Sequence, residues 1–215
     1  MNTNYQKELD KILAGLTDKK KLLLHSCCAP CSSYCLEYLS DYFDITILYY
    51  NPNITEETEY RLRCEEQQRL IREMNQNIGA GIAFLEGDYD KMAYLSAVKG
   101  LEACEEGGER CRICFDLRLD YAAKTAKERG FDYFTTTLTI SPLKNAALLN
   151  ELGMEKGEKY GVPFLPSDFK KRNGYKRSIE LSGEYNLYRQ DYCGCIFSKQ
   201  ATYARRTQEN GETLI

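Results

Sequence analysis

The sequence predicts an α/β fold with a mostly parallel sheet. Short apolar runs alternate with amphipathic helical segments between about residues 20 and 165, which is the pattern of successive βαβ units. The first run, Leu22–Leu24, is continuously apolar, as in a strand buried on both faces. In such sheets, ligands bind where a strand passes through a loop into a helix. Here that loop contains Cys27, Cys28 and Cys31.

The first half of the chain contains three predicted strands and four predicted helices. Leu9, Ile12 and Leu13 share one face of the first helix, and an Ile- and Tyr-rich run marks the second strand. The second strand stops at the turn 51–53, and a capping Thr55 with acids after it starts a long helix. We expect the Arg, Glu and Gln residues of that helix to face solvent. In order, the elements are helix 4–15, strand 21–26, helix 32–41, strand 43–50, helix 55–75, strand 79–85 and helix 88–98.

The second half begins with a Glu- and Gly-rich stretch, predicted to be an exposed loop. It continues with a helix to about 129, a Thr-rich strand over 132–139 and a helix over 145–159. Together these elements predict a Rossmann-like, three-layer α/β/α architecture. We expect one domain over residues 1–215, with a core of about 20–165 and an irregular helical C-terminal extension of about 166–215.

The composition favours metal or redox chemistry inside the cell. No apolar run approaches the roughly 20 residues of a membrane span, and the first ten residues lack the apolar centre of a signal peptide. We therefore expect a cytoplasmic protein without membrane contact. Structural disulfides are rare in that compartment, so the ten cysteines point to metal ligands or redox groups. The net charge of −3 implies that any nucleic-acid partner meets a local basic patch.

Two cysteine pairs form a candidate metal site. Cys111 and Cys114 lie on the first turn of a predicted helix, where the helix terminus favours thiolates. With Cys27 and Cys28 they supply four sulfur ligands, enough for zinc or an iron–sulfur cluster. Adjacent cysteines are uncommon in structural zinc sites, where ligands are typically two to four residues apart, and this favours the cluster. The alternative is that some of these cysteines are inert, buried side chains.

Cys193 and Cys195 flank a single glycine and are candidates for a different role. A disulfide between them would close a small ring, and strained disulfides are easily reduced. We therefore interpret the pair as a reversible dithiol that stores two electrons. A pair of metal ligands, or a plain turn, is the alternative.

Other side chains are candidates for substrate binding. Tyr49, Asn51 and Asn53 lie at the end of the second predicted strand, beside the proposed site, and are expected to line the substrate pocket. The run 170–177 is basic, contains a tyrosine that could stack on a base, and suits an RNA backbone as well as it suits solvent. Its candidate contacts are Lys171, Arg172, Tyr175 and Arg177.

Six segments in order resemble the epoxyqueuosine reductase QueH family. They are HSCCAPC, YYNPNI followed by EY and Arg, CRICFDLRL, TTTLTISPLKN, DFKKRNGYKRS and YRQDYCGCIFS, and they extend from about Lys21 to Ser198. The resemblance implies a fold similar to the adenine-nucleotide α-hydrolase-like (PP-loop/HUP) group. It implies an oxidoreductase that needs no cobalamin and reduces epoxyqueuosine at the tRNA wobble position to queuosine, with electrons from an external donor.

The same resemblance assigns roles to the cysteines. It implies that Cys27, Cys28, Cys111 and Cys114 hold a 4Fe–4S cluster and that Cys193 and Cys195 are the redox-active pair. The family is also associated with an additional mononuclear iron, for which the candidate ligands here are Cys31, Asp116 and Asp191. Two other functions stay open at this point: a tRNA sulfur-transfer enzyme of the PP-loop type, and a non-catalytic, zinc-stabilised RNA-binding module.

Overall fold

The structure of the protein is a computed structural model that describes residues 3–212. Its centre is a four-stranded, all-parallel sheet in the order β3-β2-β1-β4. The strands are β1 Lys20–His25, β2 Phe43–Tyr49, β3 Ala83–Glu86 and β4 Tyr133–Thr136. The prediction of an α/β fold with a mostly parallel sheet is confirmed, and its similarity to the PP-loop group stays a prediction.

Helices connect and cover the strands. In chain order they are α1 Tyr5–Ala14, α2 Ala29–Leu39, α3 Glu57–Ile78, α4 Lys91–Ala97, α5 Glu109–Glu128, a 3₁₀ turn Thr137–Ile140, α6 Ala146–Tyr160, α7 Gly174–Glu184 and α8 Ile196–Glu212. The last three residues of the predicted C-terminal extension lie outside the described residues. No helix among residues 3–212 is both long and apolar enough to cross a lipid bilayer.

Two apolar cores lie on opposite faces of the sheet. In β1, Leu22 and Leu24 belong to the core beneath α1, α2 and α3, whereas Leu23 belongs to the core beneath α5 and α6. All three leucines are fully buried, and each contributes about 1.5–3 kcal/mol by leaving water. The continuous apolar run therefore marks a central strand with helices on both faces, as the sequence predicts.

Several boundaries differ from the predictions for local reasons. Helix α2 begins at Ala29 instead of Ser32, because Pro30 fits the first helical turn, where its missing N–H is not needed. Cys31 is therefore helical. Strand β4 ends at Thr136, whose side-chain hydroxyl accepts a hydrogen bond from Leu138 N and starts the 3₁₀ turn. The expectation of a solvated polar face on α3 is wrong at Arg63 and Gln67, which are buried.

The connections define one edge of the sheet as the ligand-binding edge. Strand β1 pairs with β2 on one side and β4 on the other, so the chain reverses its winding direction at β1. The crevice at the carboxyl ends of such strands is the common binding position in open parallel sheets. Cys27 follows β1 at this edge, and its sulfur lies 3.8 Å from the hydroxyl of Thr137, which follows β4.

Candidate metal and redox site

Three cysteines meet where β1 enters α2. The sulfur atoms of Cys27, Cys28 and Cys31 all lie within 4.8 Å of one another, and those of Cys27 and Cys28 are 3.6 Å apart. We call this group the thiol triad. Soft thiolate ligands select zinc, copper(I) or iron–sulfur clusters. The thiol triad could therefore hold a metal ion. Cys31 belongs to it because α2 begins at Ala29, so that Cys31 lies in the first helical turn.

Two neighbouring cavities carry the remaining reactive sulfurs. The first, here the thiol cavity, has a volume of about 190 Å³ and is lined in part by Cys27, Cys31 and Cys193. The second, here the inner cavity, measures about 120 Å³ and is lined in part by Cys111, Cys114, Cys193 and Cys195. Both cavities share the wall formed by Glu106, Leu143, Lys144, Cys193 and Ser198. Members of all three cysteine groups thus line this pair of cavities, whereas Cys28 lines neither, and Cys111 and Cys114 do not belong to the group of sulfurs within 4.8 Å of one another.

The turn that carries Cys193 and Cys195 is tied to the rest of the fold by its backbone. The guanidinium of Arg63 donates to the carbonyl oxygens of Tyr192 and Cys193, each at 3.3 Å. Thr55 N donates to the carbonyl of Gly194 at 3.3 Å. The Cys193 N–H in turn donates to the hydroxyl of Ser198. Since the backbone is held on both sides, the two sulfurs have defined positions relative to the cavities.

A buried guanidinium lies beneath the sulfurs without a carboxylate partner. Arg118 is 1% exposed and donates to Asn51 Oδ1 at 2.7 Å and to His25 Nε2 at 3.3 Å. Its Nη1 lies 3.9 Å from the sulfur of Cys114. Among the described residues it forms no ion pair with a carboxylate. A buried charge without a counterion is costly, and a thiolate at Cys114, as in a metal-bound state, would compensate the charge of Arg118.

Two further cations face the sulfurs. Lys144 lines both cavities, and nearby Cys193 raises the pKa of Lys144 above its ordinary value. Arg63, which lines the thiol cavity, is 2% exposed and forms a 2.7 Å ion pair with Glu59. Arg118 and Lys144 thus place positive charge beside the sulfurs, which suits a cofactor with several thiolate ligands, while Glu106 and Asp191 add carboxylates to the cavity lining.

Helix N-termini add to this positive field. Cys28 is the N-cap of α2, Asn145 is the N-cap of α6, and Cys195 directly precedes α8. Cys111 lies in the first turn of α5 and accepts a hydrogen bond from Gly107 N at 3.2 Å. Each helix N-terminus carries a partial positive charge that stabilises anions. Four of them point their first turns towards the sulfur-lined cavities.

The pKa values of these thiols are shifted in opposite directions: that of Cys27 is lowered, and those of Cys28, Cys31, Cys111 and Cys114 are raised. Hydrogen bonds from the Cys28 and Cys31 thiols lower the pKa of Cys27, while donation to Cys27 raises the pKa of both partners. Burial raises the pKa of Cys111 and raises that of Cys114 to about 12. The helix terminus was expected to favour thiolates at these two positions. Without a bound metal, burial raises the pKa values of Cys111 and Cys114 by more than the helix terminus lowers them.

The three residues predicted at the end of β2 have different environments. Tyr49 is fully buried in the core, packs against the tilted ring of Tyr60 and lines neither cavity. Asn51 donates to the Ser26 carbonyl at 2.9 Å and accepts from Arg118, so it supports the site from below. Asn53 is 2% exposed, lines the inner cavity, and its Oδ1 has no hydrogen-bond partner. Of the three, only Asn53 lines a cavity, and its unpartnered Oδ1 is itself buried.

The candidates in the basic run are spread over the surface of α7 and the turn before it. Arg172 pairs with Asp10, and Arg177 pairs with Glu37, Glu180 and Glu184. Lys171 is exposed, and Tyr175 lines a shallow groove beside the thiol cavity. Much of the positive charge of this run is therefore neutralised by neighbouring carboxylates.

The two carboxylates predicted as ligands of an additional iron lie in different places. Asp191 lines the thiol cavity and pairs with Arg206 at 2.6 Å. Asp116 pairs with Lys156 at 2.7 Å and lines neither cavity. Asp191, and not Asp116, is thus near the thiol triad.

The cations beside the sulfurs are not evident from the sequence, and of these Arg63 and Arg118 are buried while Lys144 is half-buried. Arg63, Arg118 and Lys144 resemble ordinary charged residues on helices and loops, and their contacts are with segments far away in sequence. The only local sign is the position of Arg118 four residues after Cys114, which places both on one helix face.

The fold and the site define a thiol-rich α/β protein with cysteine-lined cavities at the switch point of a parallel sheet, where three thiols could hold a metal ion. A family model described as epoxyqueuosine reductase QueH matches residues 22–201. The chain therefore belongs to the QueH family, which confirms the resemblance seen in the sequence.

Relatives of the same name extend this similarity over most of the chain. An epoxyqueuosine reductase QueH of Staphylococcus epidermidis is 48% identical, covering 99% of this chain and 92% of the relative. One of Streptococcus pyogenes is 45% identical, covering 92% and 80%. One of Thermotoga maritima is 36% identical, covering 82% and 89%. This similarity favours a reductase over the sulfur-transfer enzyme and the zinc module.

Proposed function

We propose that this protein is an epoxyqueuosine reductase that converts epoxyqueuosine in tRNA to queuosine. Family membership over residues 22–201 is the observation that carries the proposal. The reaction removes the epoxide oxygen as water and leaves a double bond, which takes two electrons and two protons. A sulfur-lined cavity with a dithiol on its wall supports such a reduction.

The proposed cofactor is a 4Fe–4S cluster held by Cys27, Cys28, Cys111 and Cys114. The donor set suits it, since thiolates are the usual ligands of such clusters and the surrounding cations compensate their charge. When bound, the cluster would supply single-electron transfer, and an additional iron with an open coordination position would supply a Lewis acid. For an additional iron, Cys31 and Asp191 are better placed than Asp116, because both line the thiol cavity.

The dithiol of Cys193 and Cys195 supplies the two electrons and two protons that the reaction needs. Oxidation of Cys193 and Cys195 to a disulfide forms one S–S bond and releases two electrons and two protons. The epoxide accepts them, both carbon–oxygen bonds break, and the oxygen leaves as water. An external electron donor then reduces the disulfide for the next turnover. Cys193 lines both cavities, so it is the member of the pair that exchanges with substrate or cofactor.

Two side chains are placed to hold the substrate. The side-chain amide of Asn53, which lines the inner cavity, forms a hydrogen bond with a substrate hydroxyl or amine there. Lys144, on the wall between the cavities and without a carboxylate partner among the described side chains of residues 3–208, donates to the epoxide oxygen. Tyr49 and Asn51 act on the substrate indirectly, by supporting the end of β2. Lys171, Arg172, Tyr175 and Arg177 stay proposed tRNA contacts.

The variant Cys193→Ser tests the role of the dithiol. We expect it to keep its iron and sulfide content, because Cys193 is not among the proposed cluster ligands, and to lose multiple turnover on epoxyqueuosine-containing tRNA. Cys104→Ser is the matched control, since Cys104 lines neither cavity. Full multiple turnover by Cys193→Ser would refute the dithiol relay while leaving the reductase assignment intact.

A further inference from the structure

A third depression opens beside the thiol cavity and has no role in the chemistry above. It measures about 220 Å³ and is lined mainly by apolar side chains. We call it the flanking groove, and its principal walls are Pro30, Ile140, Pro142, Leu143, Tyr175 and Arg189. Pro30, Cys31, Ser141, Leu143 and Arg189 also line the thiol cavity, so the two depressions are continuous.

Leu143 stands at the junction of all three depressions. It lines the thiol cavity, the inner cavity and the flanking groove, yet 81% of it is exposed. Single exposed leucines are common on protein surfaces and need no explanation. This one lies on the ridge between the reactive cavity and an apolar groove, where anything that enters both must pass over it.

The lining of the flanking groove matches one kind of occupant. Tyr175 is 38% exposed and offers an aromatic ring, and Arg189 offers a planar guanidinium. Aromatic rings and guanidinium planes are the surfaces on which unstacked RNA bases are bound. Apolar side chains inserted between neighbouring bases are a known way to separate them.

Charge at the mouth fits the same occupant. Arg189 and Arg205 line the thiol cavity, and neither forms an ion pair with a carboxylate among the described side chains. Arg189 instead donates to the Ser182 hydroxyl at 2.9 Å, and Arg205 donates to the Ala201 carbonyl at 3.3 Å. Guanidinium groups without acidic partners are suited to phosphate oxygens.

We propose that the flanking groove binds the nucleobase adjacent to the modified nucleoside, and that Leu143 is the wedge that parts the two. The modified base enters the thiol cavity, its neighbour stacks on Tyr175, and Arg189 contacts the phosphate between them. This inference rests on the proposed function, because it takes single-stranded RNA as the substrate. It adds a binding subsite and its chemistry to that function.

The test is a double-mutant cycle between protein and RNA. The probes are anticodon stem-loop RNAs containing epoxyqueuosine, either intact or with an abasic nucleotide directly 5′ or 3′ of it. Dissociation constants are measured anaerobically by fluorescence anisotropy on the metal-loaded protein, and conversion is measured separately. The variants are Leu143→Ala, Tyr175→Ala and Tyr175→Phe. Ile179→Ala is the control, because Ile179 is 44% exposed on the same helix as Tyr175 and lines none of the three depressions.

We expect Tyr175→Ala to weaken binding of the intact RNA by about 5- to 150-fold, the range for loss of one base stack. Removing the base on one side of epoxyqueuosine should weaken wild-type binding similarly, and Tyr175→Ala should then cause little further loss. Leu143→Ala should show the same coupling, whereas Tyr175→Phe and Ile179→Ala should bind like wild type. Independent, additive effects of Tyr175→Ala and both abasic substitutions would overturn the subsite.

The two proposals fail in distinguishable ways. Conversion of the intact RNA by wild type, combined with no coupling, refutes the subsite and leaves the reductase assignment standing. Coupling in the binding assay without conversion by the metal-loaded wild type supports the subsite and refutes the assigned reaction.

Discussion

Gly194, between the two cysteines of the proposed redox pair, is a position where the structure demands glycine. Its φ angle is +117°, and an added Cβ would lie 2.8 Å from Ile54 Cγ1. For Gly194→Ala, the backbone strain costs about 1–3 kcal/mol. Displacing the buried Ile54 costs about another 1–3 kcal/mol. The expected loss is therefore about 2–6 kcal/mol of unfolding free energy, or roughly 4–24 °C in the midpoint for a chain of this size.

The assay is thermal unfolding of the metal-loaded protein under anaerobic conditions, together with multiple turnover on epoxyqueuosine-containing tRNA. Gly183→Ala is the matched control, because its added Cβ meets nothing within 4 Å and Gly183 lies within a helix. Alanine there should raise stability by about 0.5–1 kcal/mol. We expect Gly194→Ala to unfold at a lower temperature than wild type and to convert epoxyqueuosine-containing tRNA more slowly. The reasoning is refuted if Gly194→Ala matches wild type in both midpoint and turnover.

Two further predictions concern the polar groups of the site. Asn53→Ala should lower kcat/KM by about 2- to 13-fold, the value of one hydrogen bond of about 0.5–1.5 kcal/mol, without lowering the unfolding midpoint, since Asn53 Oδ1 has no partner in the protein; unchanged kinetics would remove Asn53 from the substrate site. Arg118→Leu should lower iron content, because the proposed cluster thiolates lose a neighbouring cation, and should lower the unfolding free energy by about 1–3 kcal/mol, because the buried Oδ1 of Asn51 loses its donor; Arg118→Lys should fall between it and wild type. Iron content and denaturant midpoints equal to wild type in Arg118→Leu would show that the guanidinium does not compensate the sulfurs.

The fold was predictable because its main features depend on local pattern. Leu22–Leu24 is apolar throughout because β1 is covered on both faces, and alternating strands and helices leave little choice but a parallel sheet. The boundary errors come from capping and turn chemistry. Pro30 within the first turn of α2 was the available sign that the helix includes Cys31.

The cysteines of the site could be predicted from the sequence, whereas the cations beside them could not. Cysteines are rare and their spacing is conspicuous, so Cys27, Cys111 and Cys193 could be grouped from the sequence alone. Burial of Arg118 results from contacts with Asn51 and His25, 67 and 93 residues away along the chain. No local pattern distinguishes such an arginine from one on a solvated helix face. The same holds for the cavities, since their walls come from segments that meet only after folding.

Epoxyqueuosine reduction is measured by incubating the anaerobically purified, iron-loaded protein with tRNA that contains epoxyqueuosine and an external reductant. Nucleosides from the digested tRNA are then separated and identified by mass spectrometry. We predict several conversions to queuosine per protein molecule, abolished by removal of the iron. The absence of queuosine with fully iron-loaded protein would show that the protein is not an epoxyqueuosine reductase. Equal conversion by a zinc-loaded, iron-free protein would show that the reaction does not depend on iron.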